Sequence, residues 1–337
     1  MMSSKTTTTG SAELIGLDDR DGWESALREV PHVFAHTWDH SHAIAASSGD
    51  ATYLCSVPCG EARIVSPLAE RAIGPYVDVV TPYGLSGFVG SGDCSSLASR
   101  WSELAEQRGY VCGYLILNPV LPNDTYFGEA AKHHKMLFVF DLRLDDDELF
   151  ARLSTNRRRQ IRRAERDRDA LIDDRERLTE FFVRTYPDFM ARRDAAGVYE
   201  LNEQTLRELC GSHGTLLVGA QRAGRVRAAS LFGFTPQGSD FLYNVSLPGE
   251  ESYSVMLIWA AVRELRRRGV PTLNLGGGVV ENDSLAEFKR RFGADQVPLR
   301  NVKQIYRRDV YDELCAEAGV DPERSSYFPA YRDPGSG

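Results

Sequence analysis

One passage of the chain, "NLGGGVVENDSLAEFKRRFGA" at residues 274–294, combines three glycines with an acidic turn and a basic, aromatic segment. Glycines before a helix suggest a phosphate cradle, a structural corner or the floor of a reaction site. A P-loop needs Lys and then Ser or Thr directly after its last glycine, and a dinucleotide fingerprint needs G-x-G-x-x-G. Neither pattern is present, so the triple glycine by itself indicates only a turn.

The residues after the glycines predict a short helix. Ser284 and Glu287 have the S-x-x-E spacing of a capping box, so we expect the helix to begin at Ser284. Gly293 follows the last aromatic residue and can end the helix in a left-handed conformation.

Lys289 is the candidate catalytic residue of this helix. Leu285, Phe288 and Phe292 share one predicted apolar face, and Lys289 lies at its margin. A partly desolvated ammonium there would stabilise an oxyanion during acyl transfer. The alternative is a structural lysine whose aliphatic stem covers Phe288.

A second candidate is strongly basic. Residues 152–168 contain eight Arg and two acidic residues, although the whole chain has a formal net charge of -8. Guanidinium groups match phosphate oxygens bidentately, so this helix is a candidate for binding a phosphate backbone or a tRNA acceptor stem. The alternative is a solvated helix paired with acidic neighbours. The predicted phosphate-binding residues are Arg157, Arg158, Arg159, Arg162 and Arg163.

The histidines and cysteines indicate no metal site. His36 and His40 have the i, i+4 spacing of zinc ligands, but H-E-x-x-H is absent, so a structural or substrate-contacting surface is favoured. The six cysteines include one close pair, Cys55 and Cys59, spaced C-x-x-x-C. That spacing is typical of neither a zinc knuckle nor a redox motif, and we expect buried reduced thiols.

Length and composition limit the class of protein. A chain of 337 residues exceeds one ordinary hydrophobic core, so two domains are expected. Residues 1–12 are expected to be a disordered tail. No signal peptide and no run of about 20 apolar residues is present, which favours a cytoplasmic protein.

The pattern of elements is that of an α+β protein built from two related halves. Strand-like segments and amphipathic helices alternate. In the second half, helices precede three strands joined by hairpin-like turns, "TLLVGAQ", "VRAASLFGF" and "DFLYNVS". A long helix ending at Gly269 and a short strand then lead into the glycines.

Several of these segments resemble the FemAB-like transferases. The passage 274–294 is similar to the family signature, in which a strand, a Gly-Gly-Gly stretch, D-S-L and F-K-x-x-F-G follow one another. "TPYGLSGFVG" resembles the family's P-Y-G-x-x-G element, and "LSTNRRRQIRRAERD" resembles the basic helix that opens its second domain. The resemblance covers most of residues 31–315.

The resemblance implies two tandem GNAT-like acyltransferase domains, with a cleft between or beside them. The first domain would comprise residues 13–145 plus about 305–330, and the second 146–304 with the F-K motif. Known members move an amino acid from aminoacyl-tRNA onto an amine of a peptidoglycan precursor, and related members acylate small molecules. The implied roles are carbonyl stabilisation by Lys289 and substrate binding by Phe288, Tyr83, Tyr243 and Trp38.

Two donors remain open, aminoacyl-tRNA and an acyl-coenzyme A thioester. Ordinary GNAT enzymes hold the coenzyme A pyrophosphate on backbone amides at a helix start. The equivalent segment here, "NVSLPGEESYSVM", contains Glu250 and Glu251, which would repel a pyrophosphate. We therefore expect a tRNA-dependent aminoacyltransferase that uses no cofactor and makes an amide in peptidoglycan or natural-product biosynthesis. The alternatives are a coenzyme A-dependent N-acyltransferase and, in a non-enzymatic class, a folded RNA-binding or scaffold protein that has lost catalysis.

Overall fold

The computed structural model describes residues 11–166, 171–193, 197–280 and 283–333, so nearly all of the predicted tail lies outside the described residues. The strands are β1 (Glu13–Gly16), β2 (Ala51–Cys59), β3 (Ala62–Ile73), β4 (Tyr76–Val80), β5 (Val89–Gly90), β6 (Cys112–Ile116), β7 (Lys132–Asp141), β8 (Leu171–Ile172), β9 (Thr215–Arg222), β10 (Arg225–Thr235), β11 (Gly238–Ser246), β12 (Thr272–Asn274) and β13 (Asp295–Ile305). The helices are α1 (Arg20–Leu27), α2 (Trp38–Ser48), α3 (Leu97–Gln107), α4 (Asp124–Phe127), α5 (Asp146–Arg152), α6 (Thr155–Ala164), α7 (Arg175–Ala191), α8 (Glu203–Gly211), α9 (Tyr253–Arg267), α10 (Ser284–Arg290) and α11 (Arg308–Glu317). Among the described helices none has the length and apolar character needed to cross a bilayer.

The chain divides into two compact units. Within the described residues, the first unit comprises 11–31, 50–134 and 299–333, and the second comprises 32–49 and the described part of 135–298. The predicted first domain, 13–145, includes residues 32–49, which belong to the second unit in the structure. The central boundary, predicted at 145/146, lies at 134/135. Short polar contacts hold α2 on α8: Thr205 Oγ1 donates to Ala43 O at 2.6 Å, and Asn202 Nδ2 donates to Ala46 O at 2.6 Å.

The first unit contains a mixed sheet in the order β1-β2-β3-β4-β6-β13, with the short β5 also on β3. Most neighbours are antiparallel, whereas β4 and β6 are parallel and are connected through α3. The aromatic core on this sheet includes Phe88, Trp101 and Tyr110, each almost fully buried.

The second unit repeats this plan. Its sheet runs β7-β12-β11-β10-β9-β8, in which β9, β10 and β11 form an antiparallel meander and β12 is parallel to β11 after the crossover helix α9. Both units therefore contain a meander, a helix and a parallel strand in the same chain order. This repetition confirms the predicted α+β class with two related halves.

Helices cover both faces of the second sheet. Gly219 lies against Leu178 of α7, since a Cβ at Gly219 would be 2.1 Å from a Leu178 methyl. On the opposite face Ala220 and Ala228 pack against Met256 and Leu257 of α9. Side chains alternate between faces along a strand, so position along β9 and β10 decides which helix a residue contacts.

The cysteines correct one expectation. Cys55, Cys112, Cys210 and Cys315 are buried free thiols, as expected, but Cys59 and Cys94 are joined by a disulfide. Their Cα atoms are 5.8 Å apart, within the range that a disulfide spans. Cys59 and Cys94 are 35 residues apart in the sequence, so their spacing did not indicate that they lie close together in the fold.

Candidate functional site

Lys289 lies on the buried face of α10. It is 7% exposed, and Ala286 and Phe292 are buried beside it. Leu285, which we predicted on the apolar face of α10, is 41% exposed. The predicted position of that face was therefore wrong by about one residue. The buried face runs through Ala286, Lys289 and Phe292, which places the lysine within the apolar face rather than at its margin.

The helix is capped by Asp283 and not by Ser284. One carboxylate oxygen of Asp283 accepts the Ala286 N–H at 2.7 Å, and the other accepts the Val279 N–H at 2.7 Å. These backbone hydrogen bonds hold the pKa of the Asp283 carboxyl below its usual value. The predicted capping box was wrong because a carboxylate can accept from several amides at once, whereas Glu287 pairs with arginines of the same segment.

The glycine loop, Gly276–Gly278, brings backbone against the ammonium of Lys289. Nζ of Lys289 donates to the carbonyl oxygen of Gly277 at 2.7 Å. Gly276 has φ +73°, and a Cβ there would lie 3.2 Å from Nζ. A Cβ at Gly277 would lie 2.6 Å from Met136 O. The loop therefore needs glycine for a positive φ and for close approach, and its carbonyls face a cation.

A second lysine, which the sequence did not indicate, joins this site. Lys135 of β7 donates from Nζ to Gly278 O at 3.2 Å. Burial and, to a smaller extent, the charge of Lys135 lower the pKa of Lys289 to about 8, while Asp283 opposes the shift. Burial also lowers the pKa of Lys135. Lys135, Gly278, Phe138 and Arg290 line a surface depression at this place.

Behind the glycine loop lies a buried polar pair. Nδ2 of Asn274 donates to Oδ1 of Asp240 at 2.9 Å, and Oδ1 of Asn274 accepts the Gly276 N–H at 2.8 Å. The second carboxylate oxygen of Asp240 is buried without a hydrogen-bond partner among the described residues. Burial raises the pKa of Asp240 to about 6. This pair fixes the loop that receives Lys289, and no sequence motif indicated it.

The basic helix α6 is attached to the helix that carries Lys289. Its N-cap residue Ser154 donates its N–H to Arg291 O at 3.0 Å. The guanidinium of Arg157 stacks on Phe288, with its carbon 4.4 Å from the ring centroid, and on Phe292 at 4.9 Å. Arg157 is only 5% exposed, and burial lowers its pKa to about 10. The sequence predicted that Arg157 contacts phosphate. In the structure its guanidinium is buried against the two aromatic rings of the F-K-x-x-F motif.

The other predicted phosphate-binding arginines lie nearer to the surface. Arg158 donates to Ala151 O, and Arg162 stacks on the Phe150 ring. Arg159 and Arg163 are exposed and form no ion pair with any described residue. At the end of the neighbouring α9, Arg267 and Arg268 both pair with Glu264. Arg158, Arg159, Arg162 and Arg163 have no such carboxylate partner among the described residues.

The predicted substrate-binding residues divide between the units. Tyr243 is buried on β11, with its ring 5.8 Å from that of Tyr186, and Phe288 and Trp38 also lie in the second unit. Trp38 stacks on His42 with the ring centroids 4.4 Å apart. Tyr83 is half-buried in the loop after β4 of the first unit. Their contacts with a substrate remain predictions.

The histidine segment is built into the packing of α2. His36 and His40 are buried, and burial lowers the pKa of His40 to about 4. His42 Nδ1 lies 2.9 Å from Glu208 Oε2. Within the described parts of the chain, no group of three or more potential ligands is arranged to hold a metal ion.

Solved structures share this fold over most of the chain. FemX superposes with a TM-score of 0.66 at 14% identity, covering 90% of this chain and 99% of its own. L-PGS from Bacillus licheniformis gives 0.58 at 14% identity, covering 89% and 96%. The C-terminal domain of a putative lysylphosphatidylglycerol synthetase from Agrobacterium fabrum gives 0.55 at 13% identity, with the same coverage of 89% and 96%.

No protein-family model matches the sequence, and no curated protein matches it. The structural likeness agrees with the motif resemblance in the passage 274–294 and in the basic helix. The chain therefore shares the fold of FemX and L-PGS over most of its length, in agreement with the resemblance of its motifs to the FemAB-like transferases.

Proposed function

We propose that the protein is an acyltransferase that moves an aminoacyl group from aminoacyl-tRNA to an amine of a small molecule or peptidoglycan precursor. The observation that carries this proposal is the buried ammonium of Lys289, held 2.7 Å from Gly277 O in a loop of three glycines. A lysine is seldom buried without an anionic partner, because desolvation disfavours its charge. A developing oxyanion is the partner that acyl transfer would supply.

In the proposed reaction the acceptor amine attacks the ester carbonyl of the charged tRNA. The carbon–nitrogen bond forms, the carbon–oxygen ester bond breaks, and the terminal ribose hydroxyl leaves with the proton that the amine gives up. Lys289 would stabilise the negative charge on the carbonyl oxygen between these events. The glycine loop and Arg157 behind Phe288 hold the lysine in place, and we assign no general base.

The start of α9 favours tRNA over coenzyme A as the donor. The N–H groups of Glu250, Tyr253 and Ser254 are hydrogen-bonded to carbonyls of the same loop, and the Gly249 N–H meets the Glu251 carboxylate at 3.3 Å. These amides are occupied, so this loop offers little to a pyrophosphate. The exposed arginines of α6 offer a phosphate-binding surface instead.

The donor is tested by incubating the protein with pools of charged tRNA and candidate amines. We expect aminoacyl transfer that ribonuclease treatment abolishes. Transfer from acyl-coenzyme A, with tight binding of that thioester in calorimetry, would instead establish the alternative donor.

The basic helix provides a prediction about tRNA binding. We expect R159Q/R163Q to weaken binding of charged tRNA by about tenfold and to reduce the slope of log K against log salt by about 2, since each phosphate contact contributes about 0.9. R267Q/R268Q removes the same charge from residues already paired with Glu264 and is the matched control. Equal losses in the two double variants would contradict a specific role for α6.

The pKa of Lys289 predicts the alkaline limb of the rate profile. Burial depresses this pKa from 10.5 to about 8, so the cation is present below about pH 8 and is lost above it. We expect the single-turnover rate, corrected for spontaneous ester hydrolysis, to fall about tenfold per pH unit above that value. A K289R enzyme stays charged and should lack this limb. A wild-type rate that is still rising at about pH 10 would oppose a cationic role.

A further inference from the structure

A groove on the α7 face of the second unit has no part in the proposed transfer. Its volume is about 550 Å³, in the range of sites that hold small ligands. It is lined by α7, by the start of β10 and by Leu247 after β11. The basic side chains of the groove are Arg177, Arg184, Arg225 and Arg227.

The strand pattern explains why arginines collect there. Ala229 pairs with Gly219, which lies against Leu178, so this row of β10 side chains faces α7. Between Val226 and Ala228 the pairing of β10 with β9 is irregular, and Arg227 lies at this irregularity. Alanine and glycine let the helix approach in the middle of the sheet, whereas Arg225, Val226 and Arg227 all line the groove where the strand begins.

These guanidinium groups are poorly neutralised. Arg184, Arg225 and Arg227 form no ion pair with any described residue, and Nε of Arg227 is buried without a hydrogen-bond partner among those residues. Of the two carboxylates in the lining, Glu180 is held by Arg207, 2.5 Å from Nη1 and 3.3 Å from Nη2. Arg177 pairs with Asp174 at 4.0 Å, and the charge of Arg184 also acts on Glu180. The four groove arginines still outnumber the two carboxylates of the lining. A buried donor without a partner is costly unless a ligand satisfies it.

We propose that this groove binds the phosphate or diphosphate group of a small molecule. Planar guanidinium groups match phosphate oxygens bidentately, and several can share one such group. Phe181, Val226 and Leu247 line the same groove and would contact the organic part of the ligand. This proposal does not depend on the transfer reaction.

The groove is separate from the basic helix. α6 packs on α9, and α9 covers the opposite face of the sheet from α7. One stretch of tRNA on α6 would therefore not occupy the groove. A concave site of this volume also fits a compact phosphorylated molecule better than a continuous RNA backbone.

Isothermal calorimetry of the full chain with inorganic pyrophosphate tests the proposal. We expect saturable binding that R227Q and R184Q each weaken at least about tenfold, the loss expected for one charge-assisted hydrogen bond. Arg308, which pairs with Asp312 at 2.9 Å in the first unit, provides the control variant R308Q. R308Q should bind pyrophosphate with wild-type affinity.

Three results would overturn the proposal. The first is an absence of saturable pyrophosphate binding to the wild type, and the second is equal affinity in the wild type and both groove variants. The third is loss of tRNA affinity in R184Q without any pyrophosphate binding, which would assign the groove to nucleic acid. Should R227Q fail to fold, the exposed R184Q decides between these results. Binding is measured without turnover, so failure of the transferase proposal leaves this test intact.

Discussion

A Lys289→Met enzyme is expected to turn over about 100- to 1000-fold more slowly than the wild type, the loss typical when one oxyanion donor is removed. Methionine matches the length of the lysine stem and suits the buried face that Ala286 and Phe292 share with it. Only the ammonium is lost. The predicted defect therefore lies in kcat, measured in single turnover with charged tRNA and a saturating amine.

The same substitution should not reduce stability. The pKa of Lys289 is depressed from 10.5 to about 8, so at pH 7 the side chain remains charged but its charge is less favourable in the folded than in the unfolded protein. Each unit of depression corresponds to about 1.4 kcal/mol, which offsets the lost bond to Gly277 O. We expect the free energy of unfolding of K289M, from denaturant titration, to equal or exceed that of the wild type.

Arg291→Met is the matched control for this pair of measurements. Arg291 belongs to the same F-K-R-R segment, is exposed and pairs with Glu287 at 2.9 Å. Its loss should change both turnover and stability little, as expected for a surface ion pair. Should K289M keep near-normal turnover, Lys289 would be a structural residue whose stem covers the core.

Asn274→Leu is expected to lower the free energy of unfolding by about 3 kcal/mol at pH 8. The side chain is 2% exposed and makes two hydrogen bonds, one of them to the carboxylate of Asp240. Leucine has a similar volume, so the loss arises from an unpaired carboxylate and an unpaired Gly276 N–H. Denaturant titration at pH 8 measures the effect.

The pH dependence distinguishes this cause from simple mispacking. Burial raises the pKa of Asp240 to about 6, so the folded protein binds a proton there as the pH falls below that value. A neutral acid costs less to leave unpaired, and the loss in N274L should therefore be smaller at pH 5 than at pH 8. The exchange variant D240N/N274D reverses donor and acceptor in the bond between the two side chains and keeps an acceptor for the Gly276 N–H, so it should recover part of the stability. An equal loss at both pH values, with no recovery, would exclude the paired-carboxylate explanation.

The local features of this protein follow from its sequence. The meander of β9, β10 and β11 and the long helix α9 were predictable, because side-chain periodicity and turn residues act over a few positions. The left-handed turn at Gly293 that follows α10, with φ +71°, was predictable for the same reason. The F-K motif also placed Lys289 on a short helix after three glycines, which is where the structure has it.

The environment of that lysine was decided by the tertiary structure. Lys135 is more than 100 residues away in sequence and reaches the glycine loop because β7 pairs with β12. Asp240 meets Asn274 because β11 and β12 are parallel in that register, and a shift of one residue would turn each side chain to the other face. Spacing alone predicted a surface role for Arg157, yet the docking of α6 on α10 buries it against Phe288. The sequence determined which residues could do chemistry, and strand pairing and helix docking decided which of them lie together and what their pKa values are.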